Sequence, residues 1–474
     1  MGQLFANRVS NARALGLQTN KKPFAQKKTR KTGGSSSQPP AKPGAKAPRL
    51  ESRIAAEALA NALIQQSQGA SLDQGLTRAL KIAPKMSADE RRQVVQDLYA
   101  VNRHLARLSW HIEQVGAQVT PATLLSAWMA FVSQGVQWGE DSGLEDRALM
   151  KLIAGRQLYD RAMPDAVRLE CPPTFEPALR EVLGDHFDRE MNAALQAPPI
   201  DLRVNLLRCS REEAIKRLHW EKIEAKVTPL SPWGLRCSAG ENVSATRCFQ
   251  DGYVEFQDEG SQLAAVLTDA RPGMQVMDFC SGTGGKTLAL AASMQNKGHL
   301  VATDISEVRL SRAKLRMRRA GAENAERIKL PAQDDKALKK RYGKFDRVLV
   351  DAPCSGTGSW RRNPDVRWSS QAANLPELMA LQSAILERAS RFVSTGGHLI
   401  YATCSLLKCE NDERVHAFLQ AHPEFELLDA SELWGQLGHG DWMCGEERFL
   451  RLSPAKHRTD GFFAAVLRKV TIPA

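Results

Sequence analysis

From Arg271 onward, short apolar runs alternate with stretches long enough for helices, and this alternation leaves few folds open. The strand candidates are Gln275–Asp278, Leu300–Asp304, Arg327–Leu330, Arg347–Asp351, His398–Ala402 and Phe462–Leu467. Strands separated by helix-length segments pair in parallel through crossovers, so a doubly wound, Rossmann-like α/β sheet is expected. Such a sheet binds its ligands beyond the carboxyl ends of its strands. The residues that close these runs are therefore where chemistry is to be sought.

The first run leads into Asp278-Phe279-Cys280-Ser281-Gly282-Thr283-Gly284-Gly285-Lys286-Thr287, with a helix starting near Lys286. Glycines there let the backbone approach a ligand at a helix N-terminus. Asp304 ends the next run, where a carboxylate can accept hydrogen bonds from ribose hydroxyls. A strict phosphate-binding P-loop fails, because Cys280 stands where its first glycine belongs. A dinucleotide fingerprint fails at Thr287, where glycine or alanine is wanted. The loop narrows the ligand to adenosine-type cofactors.

Two later runs each deliver a cysteine. Arg347–Val350 precedes Asp351-Ala352-Pro353-Cys354-Ser355-Gly356-Thr357-Gly358, and His398–Ile400 precedes Tyr401-Ala402-Thr403-Cys404-Ser405. A thiolate is a strong nucleophile once its pKa is lowered. Carbon 5 of a pyrimidine takes a methyl group only after a nucleophile has added at carbon 6. That chemistry needs a cysteine, an acidic group at ring nitrogen 3 and a base for the carbon 5 proton. Cys404, Cys354 and Asp351 make up such a set. Either cysteine alone reads as a small buried apolar residue; both at strand ends, both followed by serine, favour function.

Upstream the pattern changes. Residues 51–150 read as helical, with Ser87 and Glu90 spaced as a capping box before Val94, Leu98, Val101, Leu105, Leu108 and Ile112 on one face. Gly116 offers a stop and Thr120-Pro121 a fresh start. Arg91, Arg92, Arg103 and Arg107 lie off that stripe, either as phosphate ligands or as a solvated face. Residues 165–265 mix strand and helix signals as a small α/β module, ahead of the sheet domain at 266–474. Eleven of the 65 Lys and Arg, and none of the 53 Asp and Glu, fall in residues 1–50, so the net charge of +12 belongs to a basic tail. Its Gly, Ser and Pro content predicts disorder, and it could hold polyanions by counterion release. No apolar run approaches the roughly 18 residues of a membrane span. Nine cysteines without a Cys-x-x-Cys pair suit a reducing, cytoplasmic setting and offer no metal site.

The motifs together resemble the RsmB/Nop/Sun family of S-adenosylmethionine-dependent RNA cytosine-5 methyltransferases. The chain carries that family's Asp-Ala-Pro-Cys-Ser at 351–355 and Ala-Thr-Cys-Ser at 402–405. It is also similar at Arg361-Arg362-Asn363-Pro364-Asp365-Val366-Arg367-Trp368, Leu202-Arg203-Val204-Asn205, Gln257-Asp258-Glu259 and Thr459-Asp460-Gly461-Phe462-Phe463. More weakly, the helical segment is similar to the NusB-like RNA-binding domain of the bacterial rRNA branch. The resemblance implies that Cys404 attacks carbon 6, that Cys354 removes the carbon 5 proton, and that Asp351 hydrogen-bonds the base beside the methyl donor. It implies that Cys280, Ser281, Gly282, Thr283, Gly284, Gly285, Lys286, Asp304 and Asp334 hold S-adenosylmethionine, with Lys286 facing both cofactor and base. The family loop usually carries proline where Thr283 stands, so a looser loop and weaker cofactor binding are expected.

RNA is the implied partner, rRNA before tRNA, and a monomer suffices. Candidate RNA contacts are Arg203, Asn205, Gln257, Lys286, Arg361, Arg362, Asp365 and His457, with Arg367 as a further phosphate ligand. The target cytosine must be single-stranded or flipped, because carbon 6 is shielded within a helix. A DNA methyltransferase would place Glu-Asn-Val after its Pro-Cys; Glu241-Asn242-Val243 lies before the glycine loop instead. A non-catalytic RNA-binding assembly factor is the alternative from another class.

Overall fold

A computed structural model of the chain describes residues 53–132, 146–331, 336–369, 374–439, 441, 442, 444 and 448–471. The basic tail and Asp334 lie outside the described residues. The chain divides into two compact units, one ending at Pro173 and the other beginning at Thr174. Among the described residues, no helix is long and apolar enough to cross a membrane.

The first unit is helical, with helices Arg53–Ser67, Leu72–Ile82, Ala88–Arg103, Leu105–Gln114, Pro121–Val132 and Arg147–Ile153. The Ser87 capping box forms, with Glu90 N–H donating to Ser87 Oγ and Ser87 N–H to the Glu90 carboxylate. Val94, Leu98, Val101, Leu108 and Ile112 are buried on one core with Leu59 and Leu125. That stripe does not sit on one helix, because the chain breaks at His104. The buried Glu170 carboxylate accepts the N–H groups of Ala106 and Arg107, both at 2.9 Å, and so caps a fresh helix there. Three of the four off-stripe arginines are not a solvated face. Arg91 donates to carbonyls of Met86, Ala83 and Pro84, beyond the preceding helix, while Arg103 and Arg107 are buried.

The second unit opens with an antiparallel sheet of β1 (Ile200–Val204), β2 (Ala225–Val227), β3 (Gly234–Cys237) and β4 (Val254–Phe256), ordered β2-β3-β1-β4. Helix Arg211–Trp220 packs Ala214 and Leu218 against Leu202, Leu235 and Val254. The larger sheet contains β5 (Gln275–Asp278), β6 (His299–Asp304), β7 (Ala325–Lys329), β8 (Phe345–Asp351), β9 (Val393–Thr403), β10 (Phe425–Leu428), β11 (Leu450–Leu452) and β12 (Phe462–Lys469). Its order is β10-β12-β9-β8-β5-β6-β7, with β11 pairing β12. Strands β5 to β9 pair in parallel, while β12 runs antiparallel to β9. The short β10 and β11, which periodicity did not mark, pair with β12.

Both faces of this sheet are covered, as a doubly wound sheet requires. Val276, Leu300, Leu349, Ile400 and Val466 join one core, and their neighbours Met277, Val301, Val348, Leu399 and Leu467 the other. The strand order reverses between β5 and β8, which parts the loops that follow them. Asp278, Asp351 and Thr403 end three adjacent strands at that crevice.

Candidate active site

The loop after β5 builds one side of the crevice. Gly284 adopts φ +83° as the cap of helix Gly285–Ser293, and a Cβ there would stand 3.1 Å from Ala313; only glycine fits both demands. Gly282 N–H donates to Asp304 Oδ2 at 2.9 Å, while Ser306 N–H donates to Oδ1 at 2.7 Å. Asp304 thus anchors the loop. The Ser281 hydroxyl is buried without a partner among the described residues, as a site built to meet a ligand would leave it.

Thr283 does not loosen this loop. Arg316, on helix Glu307–Ala320, donates to the Thr283 carbonyl at 3.1 Å and to its hydroxyl at 3.0 Å. The same guanidinium meets the buried Glu255 of β4 at 3.1 Å. Where a proline would stiffen the backbone from within, a side-chain clamp holds it from outside. Arg316 carried no motif that could have marked it.

Asp278, beneath the loop, was likewise not singled out as a site residue. Its Oδ2 accepts from Thr287 at 2.6 Å, its Oδ1 has no protein partner, and burial pushes its pKa up to about 7. Burial also pushes the Cys280 thiol well above its ordinary range.

The other wall carries the two cysteines. Asp351 pairs in register with Ala402 across β8 and β9. The turns that follow bring Cys354 Sγ within 3.4 Å of Cys404 Sγ. The hydrogen bond to Cys404, then burial, push the Cys354 thiol well up. Gly358 N–H donates to the Cys404 carbonyl at 3.0 Å. This contact needs glycines, because a Cβ on Gly358 would lie 2.2 Å from the Gly461 carbonyl oxygen.

Lys286 joins the two walls. Its Nζ is 2.6 Å from Asp351 Oδ2 and 4.8 Å from the centroid of Phe462. Lys286 is buried and Asp351 half-buried, so the carboxylate keeps an accessible edge in the crevice. Beside Ser405, a groove lined by Arg451, Lys456 and His457 opens next to the Cys404 turn.

Several residues expected to meet RNA face inward instead. Arg203 is buried, donating to Gln257 at 2.5 Å and to the Gly285 carbonyl at 2.6 Å; it braces the cofactor helix, and burial lowers its pKa to about 10. Asn205 donates to the carbonyls of Gly252 and Ala320, both at 2.8 Å. Arg361 and Arg362 both bind Asp258 and Asp460, and Arg367 lies buried over Trp360. Guanidinium groups so engaged are not available to phosphates. The sequence showed cations in motifs but not which way they point. Asp365 is half-buried beside the 3-10 turn Val366–Trp368.

Comparison with known proteins agrees with this arrangement. The family described as 16S rRNA methyltransferase RsmB/F matches residues 265–468, and the RsmF/B-like ferredoxin-like domain matches residues 171–244. The chain is 32% identical to ribosomal RNA small subunit methyltransferase B of Serratia proteamaculans over 85% of this chain and 96% of that protein. The crystal structure of PH0851 is similar with a TM-score of 0.75 at 25% identity, over 88% of this chain and 99% of that one. A methyltransferase homolog from Pyrococcus horikoshii is similar with a TM-score of 0.56 at 28% identity, over 66% of this chain and 100% of that one. With its glycine loop, paired cysteines and near-complete alignment to those relatives, the chain belongs to the RsmB/F family of rRNA methyltransferases.

Proposed function

We propose that the protein methylates carbon 5 of a cytosine in small-subunit rRNA, through a covalent bond between Cys404 and carbon 6. The observation that carries this reading is the 3.4 Å pair of sulfurs on the turns that follow β8 and β9, with Lys286 paired to Asp351 at the end of β8. One cysteine would serve a simple nucleophile; two at this spacing serve adjacent carbons of one ring.

The Cys404 thiolate adds to carbon 6, the carbon 5–carbon 6 π electrons move toward nitrogen 3, and nitrogen 3 takes a proton from the Lys286–Asp351 pair. When bound, S-adenosylmethionine supplies the electrophilic methyl group for carbon 5. Cys280 to Lys286 with Asp304 form its cradle, and Asp334 belongs to the same set. Cys354 then takes the carbon 5 proton. Nitrogen 3 returns its proton, the carbon 6–sulfur bond breaks, and Cys404 leaves as thiolate. While Cys404 is bonded to carbon 6 it no longer shares a proton with Cys354, which removes the leading cause of the raised Cys354 pKa. Cys354 can then reach its thiolate form more readily when a base is needed.

The Serratia relative is named for small-subunit rRNA, which favours rRNA over tRNA. The helical first unit and the basic tail supply further RNA contacts in a cytoplasmic enzyme, the first unit as a NusB-like RNA-binding domain. The groove with His457 receives the nucleotides flanking the target. The test is a gel for covalent protein–RNA complexes with cellular RNA and S-adenosylmethionine. Cys354→Ser should accumulate an adduct, and sequencing the trapped RNA should return a small-subunit rRNA cytosine. An adduct from Cys404→Ser instead would reverse the roles, and RNA binding without any adduct would favour the assembly-factor reading.

A further inference from the structure

Glu410 is fully buried directly behind the cysteine turns, and sequence reasoning gave it no role. Among the described residues its carboxylate meets only uncharged donors. Ser355 N–H reaches it at 2.8 Å, Ser355 Oγ at 2.5 Å and Gln382 Nε2 at 3.0 Å, and Ser405 Oγ donates as well. A carboxylate buried without a cation is costly unless its hydrogen bonds are filled. Here they are filled by the residues that follow the two cysteines. Ser355 succeeds Cys354 and Ser405 succeeds Cys404, and both hydroxyls converge on one oxygen, Oε2.

The surroundings extend this bridge. Gln382, on helix Leu375–Ser390, also donates to the Pro353 carbonyl at 3.0 Å. Thr357 Oγ1 accepts Leu406 N–H at 2.9 Å. Tyr401 O–H donates to the Glu410 backbone carbonyl at 2.7 Å, which fixes Glu410 to β9. Carbons 5 and 6 of a pyrimidine are bonded neighbours, so two sulfurs that serve them must keep a set spacing. The two turns lie far apart in the chain, and Glu410 is the side chain whose carboxylate holds both.

We propose that Glu410 is a positioning residue for methyl transfer: through Ser355 and Ser405 it sets the spacing of the Cys354 and Cys404 sulfurs, so that both engage one cytosine ring. The proposal rests on the two-cysteine reading above. It explains why serine follows each cysteine, a feature the nucleophilic chemistry does not itself require. It also separates the two walls of the crevice, since Glu410 touches the cysteine turns and not the glycine loop.

The test uses the full chain, in vitro-transcribed small-subunit rRNA and tritiated S-adenosylmethionine. In a Cys354→Ser background, Glu410→Ala should slow adduct formation about 100-fold, as a misplacement near 1 Å does. Glu410→Gln keeps one oxygen for the two hydroxyls but turns an amide N–H toward Ser355 N–H and Gln382 Nε2, so it should recover only part of the rate, and calorimetric S-adenosylmethionine affinity should stay within about twofold in both. If Glu410→Ala does not fold, the Ser355→Ala/Ser405→Ala double variant removes the bridge from the other side and should show the same slowing. The proposal is overturned by an unchanged rate, by Glu410→Gln as slow as Glu410→Ala, or by cofactor affinity falling in step with rate. No adduct from Cys354→Ser alone would overturn the two-cysteine reading and this proposal with it. An adduct there that the bridge variants leave unchanged overturns this proposal only.

Discussion

Two buried acidic nodes lie in the same unit and are built differently. At Asp258 and Asp460, two carboxylates face Arg361 and Arg362, so charge is matched by charge. At Glu410, a lone carboxylate faces two hydroxyls, an amide and a backbone N–H. The first node ties the start of helix Glu259–Val266, the loop after β8 and the approach to β12. The second ties two turns that each carry a sulfur. Matched charges make a rigid joint, because removing one partner strands the other in a dry site. Hydroxyls and amides make a mount whose donors can turn. The joint secures the fold of the crevice, and the mount holds the two cysteine turns together.

The sharpest break in this comparison is to damage each region separately. Cys404→Ser should leave the melting temperature near the wild-type value and lose methyl transfer on the order of 10⁴-fold. Arg362→Ala should do the reverse in kind. It leaves Asp258 and Asp460 to share Arg361 alone in a buried site, at a cost of about 3 kcal/mol, lowering Tm by roughly 10 °C, with activity lost through unfolding. Calorimetry beside single-turnover rates separates the two. Equal loss of stability in both variants would erase the distinction.

Asp278 supplies a pH test of a third buried carboxylate, whose hydrogen bond among the described residues comes from the Thr287 hydroxyl. Its folded pKa is raised to about 7 from the ordinary 3.8, so its contribution to stability is present below pH 4 and is lost as pH rises through 7. Urea denaturation of wild type and Asp278→Asn from pH 4 to 8 should show the variant gaining on wild type by up to ~4 kcal/mol across that window. A constant difference would mean that Asp278 does not titrate on folding.

The Arg316 clamp should yield a smaller effect confined to the cofactor wall. Arg316→Ala should raise the S-adenosylmethionine KM about tenfold, the worth of one or two hydrogen bonds, with kcat within about threefold. Thr283→Val, which removes only the hydroxyl, should show part of that rise. A fall in kcat without a change in KM would assign Arg316 to the cysteine wall instead.

The smallest effect is on RNA binding. The salt dependence of affinity counts the phosphates that cations neutralise, at about 0.7–0.9 of slope for each. Deleting residues 1–50 should flatten the slope. A fold-preserving Arg361→Lys should leave it unchanged, because that charge is already matched by Asp258 and Asp460. A slope that falls with Arg361→Lys would return the arginine pair to the RNA surface.

The periodicity of the strands, the glycines of the loop and the two cysteine motifs were legible because each is a local pattern with a local cause. Asp304, Asp351 and Lys286 were legible as strand-end or loop residues for the same reason. The helix break at His104 was not, since its cause is Glu170, distant in the chain. Arg203, Asn205, Arg361 and Arg362 were read as surface cations or contacts because a motif fixes residue types and spacing but not the direction a side chain takes.

By itself, then, the sequence determined a doubly wound sheet with a glycine loop on one strand end and thiols on two others, because hydrophobic period and turn chemistry act between near neighbours. Only the tertiary structure decided which charges neutralise one another, that Arg316 holds the Thr283 loop, and that Glu410 gathers both serines behind the cysteines. Those choices depend on which side chains share a desolvated space, and in a buried site the partner that fills each hydrogen bond comes from wherever the fold brings it.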